Sequence, residues 1–344
     1  MKKIFVTIIA ITALIFASCS NNVNLYSNDG DSTIIYAMLD PNADTNFFKI
    51  TKSFIGNVYD LAHDYDANNY AYDDIEVKFS GVFDGSSSTQ TFVLDTISKW
   101  IPAELGATFY NNCWQTYYYT TAKLKEGQEY TIEVLRKADS VTISAKALTI
   151  NSFSISKPFA TQAIQFKGSK RGTVEWRVSD PSTMFKTTAA YFTVAGFFRY
   201  KELMPGASDT VLRSIQWNLG SGEAEKLFNS TDRYYVISYT PQALYDILES
   251  NDYLKNNSPV GVQRWFENFE YRVSAIGEEL YNYNLVNNSS SAIQDVPNYT
   301  NVENGTGLMS SRIDRTSSHL IHILSRNYVV EMFPQYGFIV DPNR

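Results

Sequence analysis

Short stretches in which apolar and polar residues alternate recur along most of this chain. The alternation is clearest at residues 75–79, and residues 33–39, 130–134 and 141–145 are rich in β-branched and aromatic side chains. A period of two places successive side chains on opposite faces of a strand. Turn formers separate the stretches, as at residues 84–88. This pattern predicts a β-sandwich of immunoglobulin-like size before residue 150.

A second series of strand-like stretches follows from residue 151. It comprises residues 163–167, 173–178, 189–200, 211–217, 234–240, 265–276, 328–332 and 337–340. Two helices are expected within it, one with Thr240 as N-cap and Pro241 at its first position, and one over residues 278–286. We therefore predict a mostly β protein with two β-sandwich-like domains and a few short helices in the second.

The first 18 residues have the pattern of a signal peptide. Lys2 and Lys3 precede an apolar run at 4–16, which at 13 residues is too short to cross a hydrocarbon core of about 30 Å as a helix. Small residues before Cys19 make this segment resemble a lipobox, so we predict lipidation of Cys19. An ordinary secretory signal that ends near a cysteine is the alternative. Ser20 stands where the inner-membrane retention signal has Asp, which favours the outer membrane, in either leaflet.

These patterns also predict the domain limits. Residues 1–18 form the lipoprotein signal peptide, and the polar residues 19–31 form a flexible tether. Residues 32–150 form the N-terminal β-sandwich-like domain and residues 151–344 the C-terminal, mainly β domain. Removal of 18 residues from 344 leaves a mature chain of 326, which is enough for two ordinary domains.

Charge and cysteine content limit the partners and the chemistry. Loss of Lys2 and Lys3 leaves 27 basic and 36 acidic side chains, a net charge of −9, which argues against nucleic acid and anionic membrane surfaces as partners. Aromatic residues make up 15% of the chain, a composition that favours strands. Cys113 is the only cysteine besides Cys19, so no intramolecular disulfide is expected. We interpret Cys113 as a small buried residue rather than a reactive thiol.

Two patterns resemble metal sites. Residues 64–68 have the 1-3-5 oxygen spacing of a calcium loop, but Asn69 stands where an EF-hand needs Gly. His319 and His322 have the spacing of one helix face, yet the residues around them fit a strand equally well, on which the two rings point to opposite faces. Asp314 is the one further ligand suggested nearby. We predict no metal and no cofactor.

Catalytic chemistry has weak support in the sequence. It contains no Gly-x-Ser-x-Gly elbow. Glu223 and Glu225 form one carboxylate pair, and Glu278 and Glu279 form another. A glycosidase needs its two carboxylates about 5 to 9.5 Å apart across a cleft, which proximity in sequence does not predict. Solvated surface charge is the simpler interpretation, and we predict no catalytic residues.

Three aromatic runs, at residues 117–119, 197–200 and 234–235, offer rings on which sugars stack. Alternation along a strand sends Tyr117 and Tyr119 to one face and Tyr118 to the other. Packing in the core of a β-sandwich explains the same residues without a ligand, and we favour that interpretation.

Several segments resemble one known family. They are ITKSFIG at 50–56, AHDYD at 62–66, YDDIEV at 72–77, LKEGQEY at 124–130, ELYNY at 279–283 and YTNVENGTGL at 299–308. Through them the chain resembles an uncharacterised family of Bacteroidota outer-membrane lipoproteins whose genes often lie beside those of TonB-dependent receptors. The resemblance implies an outer-membrane location and an accessory role near such a receptor. It brings no established activity and no catalytic residue.

The expected function is therefore a non-enzymatic accessory or binding role for a lipid-anchored protein of the outer membrane. A glycan-binding surface module is the alternative, and aromatic rings exposed in a row on one face would favour it. A hydrolase is the third class, and it requires carboxylates or histidines from the groups above to converge in one cleft.

Overall fold

Strands dominate the computed structural model, which describes residues 32–53, 71–101, 113–169, 171–179, 181–288 and 299–340. A few short helices accompany the strands, so the prediction of a mostly β protein is confirmed. Cys19, the tether and the calcium-like loop at 64–68 lie outside the described residues. In the described ranges, none of the helices combines the length and the apolar character needed to cross a membrane.

Eight of the described strands precede residue 150. They are β1 (Thr33–Leu39), β2 (Asn46–Lys52), β3 (Ile75–Gly81), β4 (Gln90–Val93), β5 (Asp95–Ile101), β6 (Cys113–Thr120), β7 (Glu129–Arg136) and β8 (Val141–Leu148). In five of them, β1, β2, β3, β7 and β8, the side chains alternate between the core and the outside, whereas β4 is exposed along its whole length. In β7, Tyr130, Ile132 and Val134 are buried and the residues between them are more exposed. Each alternating strand therefore has one apolar face to pack against a second sheet.

The remaining elements follow residue 150, and all the described α-helices are among them. They are β9 (Phe153–Lys157), β10 (Gly172–Val178), β11 (Tyr191–Leu203), β12 (Val211–Glu223), α1 (Ala224–Leu227), β13 (Phe228–Asn229), β14 (Tyr234–Tyr239), α2 (Ala243–Ser250), α3 (Asp252–Asn256), β15 (Gln263–Ile276), α4 (Glu278–Asn288), β16 (Val302–Glu303), β17 (Thr306–His319), α5 (Ile323–Met332) and β18 (Phe338–Ile339).

Two hydrophobic cores divide the buried residues. The first core lies between the sheet β16-β8-β7-β3-β4 and strands β1, β2 and β6. The ring of Phe79 stacks on Tyr130 there, with centroids 5.3 Å apart. The second core lies between the sheet β13-β14-β10-β9 and strands β11, β12 and β15. In this core the rings of Trp176 and Phe192 are 5.0 Å apart. Face-to-face sheets around aromatic cores make both halves β-sandwich-like.

A nine-stranded sheet runs through both sandwiches in the order β12-β11-β15-β17-β1-β2-β6-β5, with β18 beside β15. The strand β17 joins its two halves. Residues 306–311 of β17 pair in parallel with β1, and residues 312–319 pair antiparallel with β15. Met309 consequently belongs to the first core and Ile313 to the second. The domain limits at 32–150 and 151–344 stay a prediction, and residues 302–311 contribute to the first core from the later part of the chain.

Three predicted elements differ from the structure. Residues 328–332, predicted as a strand, belong to the helix α5. This stretch is β-branched, but Ser325 and Val329 are buried one helical turn apart, and burial overrides the local preference. Residues 163–167 form only an isolated bridge, between Ile164 and Ile321. The helix α2 begins at Ala243 rather than at Pro241.

Candidate functional site

His319 and His322 do not share a metal site. His319 is the buried last residue of β17, whereas His322 is the N-cap of α5. Both nitrogens of the His319 ring have partners, since Nε2 lies 2.8 Å from Ser317 Oγ and Nδ1 lies 3.1 Å from the carbonyl oxygen of Gln162. Asp314 pairs with an arginine on its own strand. Within the part of the chain that the structure describes, no three His, Cys, Asp or Glu residues are placed to hold a metal ion.

The tyrosine run of β6 alternates as predicted. Tyr118 is buried in the first core, and Tyr117 and Tyr119 lie beside Phe47 on the outer face of the sheet. Lys99 Nζ lies over the Phe47 ring, 3.0 Å from its centroid. This outer face therefore presents rings that are partly covered by a lysine.

The aromatic runs of the second sandwich serve mainly its core. Phe198, Tyr200 and Tyr235 are buried there. Phe197 lies on the outer face beneath the guanidinium of Arg272, 4.5 Å from the ring centroid. The favoured interpretation of these runs, core packing, holds for the three buried rings.

A cleft of about 500 Å³ lies beside α1 and the start of α4. Its walls combine three carboxylates and one lysine with three aromatic rings: Glu223, Glu225, Glu278, Lys186, Phe228, Tyr235 and Tyr281. We call it the acidic cleft. Both acidic pairs of the sequence thus contribute to one cavity, through Glu223 and Glu225 from one pair and Glu278 from the other.

Tyr281 and Glu223 form the best-defined contact of the acidic cleft. The Tyr281 ring stacks on Tyr191 with centroids 5.0 Å apart and 15° between the ring planes. Its hydroxyl donates a hydrogen bond to Glu223 Oε1 at 3.2 Å, and Lys226 Nζ donates to the same oxygen at 2.9 Å. The hydrogen bond from Lys226 is the main reason that the pKa of Glu223 is lowered. Glu223 is therefore an anion at neutral pH, and it orients Tyr281.

Glu279 faces away from the acidic cleft. Its Oε2 accepts a hydrogen bond from Ser310 Oγ of β17 at 2.9 Å. Burial raises the pKa of Glu279, which is the direction that a general acid requires. The residues that line the cleft include Glu278 but not Glu279. The carboxyl group with the raised pKa and the carboxylates of the cleft are thus separate.

Two chain reversals build the acidic cleft. Gly277 follows β15 directly, and its amide donates to the Ser311 carbonyl oxygen at 2.8 Å, so α4 begins against β17. A Cβ at Gly277 would lie 2.8 Å from Ser310 Oγ, which explains the glycine. At the other wall, the amide of Ala224 donates to the Ala190 carbonyl oxygen at 2.9 Å. This bond holds the end of β12 beside the start of β11.

The acidic cleft suits the binding of a small polar ligand. Its volume of about 500 Å³ lies within the range of about 300 to 1,000 Å³ that small-molecule sites occupy. Carboxylate oxygens accept hydrogen bonds from hydroxyl or ammonium groups, and Asn282 adds an amide that donates and accepts. Aromatic walls offer apolar contact to the same ligand.

The carboxylates of the cleft and Tyr235 stand out in the sequence, but Phe228 and Tyr281 do not. Tyr191 and Tyr281 belong to β11 and α4, and no local pattern marks them as partners. Cys113 begins β6, and its side chain lies outside what the structure describes.

Comparison with known proteins adds no relative. No protein-family model matches this chain, and no curated protein matches it either.

Proposed function

We propose that this chain is a lipid-anchored protein of the outer membrane with a non-enzymatic binding or accessory role, acting alongside a TonB-dependent receptor. The signal peptide that ends before Cys19 and the resemblance to a lipoprotein family support the anchor and the location. The acidic cleft is the structural observation that supports the binding role. It brings three carboxylates and three aromatic rings to one cavity of about 500 Å³.

The charges of the cleft favour binding over acid–base catalysis. A hydrolase of the two-carboxylate type needs one carboxyl group kept protonated and a second kept ionised on either side of the substrate. Glu223 is held as an anion by Lys226, and its hydrogen bond from Tyr281 fixes its orientation. Glu279, the carboxyl group with a raised pKa, points to Ser310 instead. Glu223 thus serves as a fixed hydrogen-bond acceptor for a ligand.

The lipid anchor is tested by labelling with palmitate. We expect Cys19→Ala to abolish the label and to leave uncleaved or soluble protein, because the thiol of Cys19 is the acylated atom. Cys113→Ala is the matched control and should keep the wild-type labelling. Unchanged labelling of Cys19→Ala would refute the anchor.

A glycan-binding surface module is the second candidate, and the stacked pair Tyr191 and Tyr281 beside Glu223 favours it. Sugar rings stack on aromatic side chains, and their hydroxyls donate hydrogen bonds to carboxylates. A glycan array followed by titration calorimetry tests this role. We expect Tyr281→Ala and Glu278→Gln to weaken binding about tenfold or more, a loss of about 1.4 kcal/mol or more.

Glu331→Gln provides the control for that experiment, because Glu331 is exposed on α5 and does not line the cleft. It should bind like the wild type. An array without any bound glycan would remove the second candidate and leave the accessory role. Turnover of a bound glycan would replace the binding role with hydrolysis.

A further inference from the structure

Two tryptophan rings, Trp100 of β5 and Trp114 of β6, lie exposed at one end of the first sandwich. The two residues are directly opposite each other across the strands, and their ring centroids are 5.7 Å apart. Trp100 is 48% exposed and Trp114 is 58% exposed, whereas tryptophan side chains are on average well covered in folded proteins. We call these two residues the tryptophan pair.

The tryptophan pair lies on the core side of its sheet but beyond the end of the core. Trp114 shares a face of β6 with Tyr118, which is buried in the first core. In the other sheet, β4 pairs with β3 only over residues 78–81. The chain then crosses through the buried Leu94 to β5. Trp100 is the sixth residue of β5, about 17 Å from the first in an extended strand, so the pair extends past the region that β4 covers.

The same end of the sandwich contains the start of the first described strand. The strand β1 starts at Thr33, which is opposite Lys52 at the end of β2. Phe48 of β2 is opposite Tyr118 of β6, and this antiparallel register, carried four residues further, puts Lys52 level with Trp114. The strands follow one another in the order β1-β2-β6-β5. At about 4.8 Å from one strand to the next, the tryptophan pair lies about 10 to 15 Å from Thr33 across the sheet. We call this end of the first sandwich the entry end.

The lipid anchor of the proposed function would hold the entry end near a membrane. Cys19 lies 14 positions before Thr33, and a chain of that length spans at most about 50 Å. We propose that the tryptophan pair inserts into the interface of the membrane that carries the anchor and holds the first sandwich against it. Tryptophan, with an apolar body and a polar N–H, favours the boundary between lipid headgroups and water. The proposal rests on the lipid anchor of the proposed function.

The charges of the entry end suit a bilayer of zwitterionic lipids. The hydroxyl of Tyr72 lies 2.7 Å from Thr33 Oγ1, which places the cleft around Tyr72 at this end. Basic and acidic side chains balance in and beside that cleft, with three of each: Lys52, Arg136, Lys137, Asp73, Asp74 and Asp139. Residues 19–344 as a whole have a net charge of −9, which an anionic surface would repel. The balanced charges of the entry end avoid this repulsion against headgroups without net charge.

A glycan is the alternative ligand of the tryptophan pair, because sugar rings also stack on exposed aromatic side chains. Two observations favour the bilayer. The planes of the two rings meet at 67°, so the rings do not form one flat platform for a sugar chain. The pair also lies at the entry end, where the anchor would bring a membrane within reach.

Quenching of tryptophan fluorescence by brominated lipids tests the proposal. A chain of residues 20–344 with an N-terminal hexahistidine tag is held by a nickel-chelating lipid on vesicles of phosphatidylethanolamine and phosphatidylcholine, so the test does not depend on acylation of Cys19. We expect brominated phosphatidylcholine to lower the fluorescence by about a fifth or more relative to the unbrominated lipid, because two of the five tryptophans reach the bilayer. The double variant Trp100→Phe and Trp114→Phe should lose this quenching. Trp265→Phe, on β15 of the second sandwich, is the matched control and should keep it.

The position of the tag tests whether the entry end faces the bilayer. The strand β17 starts beside β1 and continues for 14 residues to His319, and β18 pairs with β15 beyond that point. A tag placed after Arg344 therefore follows the end of the fold that lies away from the entry end. We expect it to lower the quenching about twofold or more, because the bilayer contact of tryptophan depends on its depth in the interface.

Three outcomes would overturn the proposal. The first is a vesicle-bound chain without quenching, or with quenching that the double variant keeps. The second is quenching that appears only after residues 103–111 are replaced with a short Gly-Ser turn, which would assign the tryptophan pair to that segment of the chain. The third is a soluble glycan that the double variant no longer binds, without quenching by the bilayer. Quenching of the tagged chain supports the contact even where Cys19→Ala keeps its palmitate label, a result that contradicts the lipid anchor alone.

Discussion

Arg264 and Glu202 form an ion pair inside the second sandwich, with Nη2 and Oε2 2.6 Å apart and side chains that are 0% and 1% exposed. The guanidinium also donates to Ser258 Oγ at 2.9 Å, to the Asn257 carbonyl oxygen at 2.6 Å and to the Tyr336 carbonyl oxygen at 2.5 Å. Nε donates to Glu202 Oε2 as well, at 2.8 Å, so four hydrogen bonds and the ion pair surround the buried guanidinium. The pair joins β11 and β15 to the segments that follow α3 and precede β18.

Removal of one partner should leave the other charge buried without a counter-charge. We expect Arg264→Met to lower the free energy of unfolding by about 3 to 5 kcal/mol, the usual cost of breaking a buried ion pair. Urea unfolding at pH 7 measures this loss. Lys137→Met is the matched control, because Lys137 and Asp74 pair at 3.0 Å on the surface with side chains 51% and 64% exposed. The control should unfold almost like the wild type, and an equally small loss for Arg264→Met would contradict the account.

Gly307 should be irreplaceable where β17 meets β1. Its φ is +120°, and a Cβ there would lie 2.0 Å from the carbonyl oxygen of Ile35. An unfavourable φ alone lowers the free energy of unfolding by about 1 to 2 kcal/mol. We expect Gly307→Ala to lower it by more, because the clash with the backbone adds to this cost. In Gly85→Ala the φ is also positive, at +76°, but no atom lies within 4 Å. Thermal unfolding of both variants compares the two costs, and equal losses would contradict the close approach of β1.

Stability should fall below about pH 6.5 because of His319. Burial lowers the pKa of His319 from its ordinary value of 6.5, so the unfolded chain takes up this proton more readily than the folded protein does. The contribution of the neutral His319 ring to the free energy of unfolding is fully present above pH 6.5. It is lost as the pH falls towards the lowered pKa. We expect unfolding in urea to show a smaller loss of stability between pH 7.5 and 5.5 in His319→Gln than in the wild type.

The contribution of Glu279 to stability has the opposite pH dependence. Glu279 is present in both the wild type and His319→Gln. Burial raises its pKa from 4.5, so its contribution is present below pH 4.5 and is lost as the pH rises through the raised value. Its effect cancels when the wild type and His319→Gln are compared. The same pH dependence in both proteins would show that His319 is not the responsible group.

Local pattern predicted the strand faces but not the pairing of distant strands. The alternation at residues 75–79 predicted that successive side chains point to opposite faces, and in β3 Val77 and Phe79 are buried while their neighbours are more exposed. A period of two is a property of adjacent residues, so a local pattern can show it. The return of β17 to β1 depends instead on contacts such as the hydrogen bond from Ser311 Oγ to the Leu39 carbonyl oxygen, across 272 positions of sequence. No local signal encodes a contact of that range.

The same limit applies to the candidate site. Glu223 and Glu278 are visible in the sequence as members of acidic pairs, with no sign that they share a cavity. Their convergence depends on the turn at Gly277 and on the bond that joins Ala224 to Ala190. The stacking of Tyr281 on Tyr191 depends on the same tertiary contacts. The sequence thus shows individual candidate residues, and only the tertiary fold brings them together in one cleft.

The proposed accessory role is tested most directly by isolation of the tagged protein from the membranes of its own cells in gentle detergent, with mass spectrometry of what accompanies it. We expect a TonB-dependent receptor in near-stoichiometric amount, and we expect Cys19→Ala to lose it because that variant lacks the lipid anchor. Recovery of the protein without a receptor would contradict the accessory role.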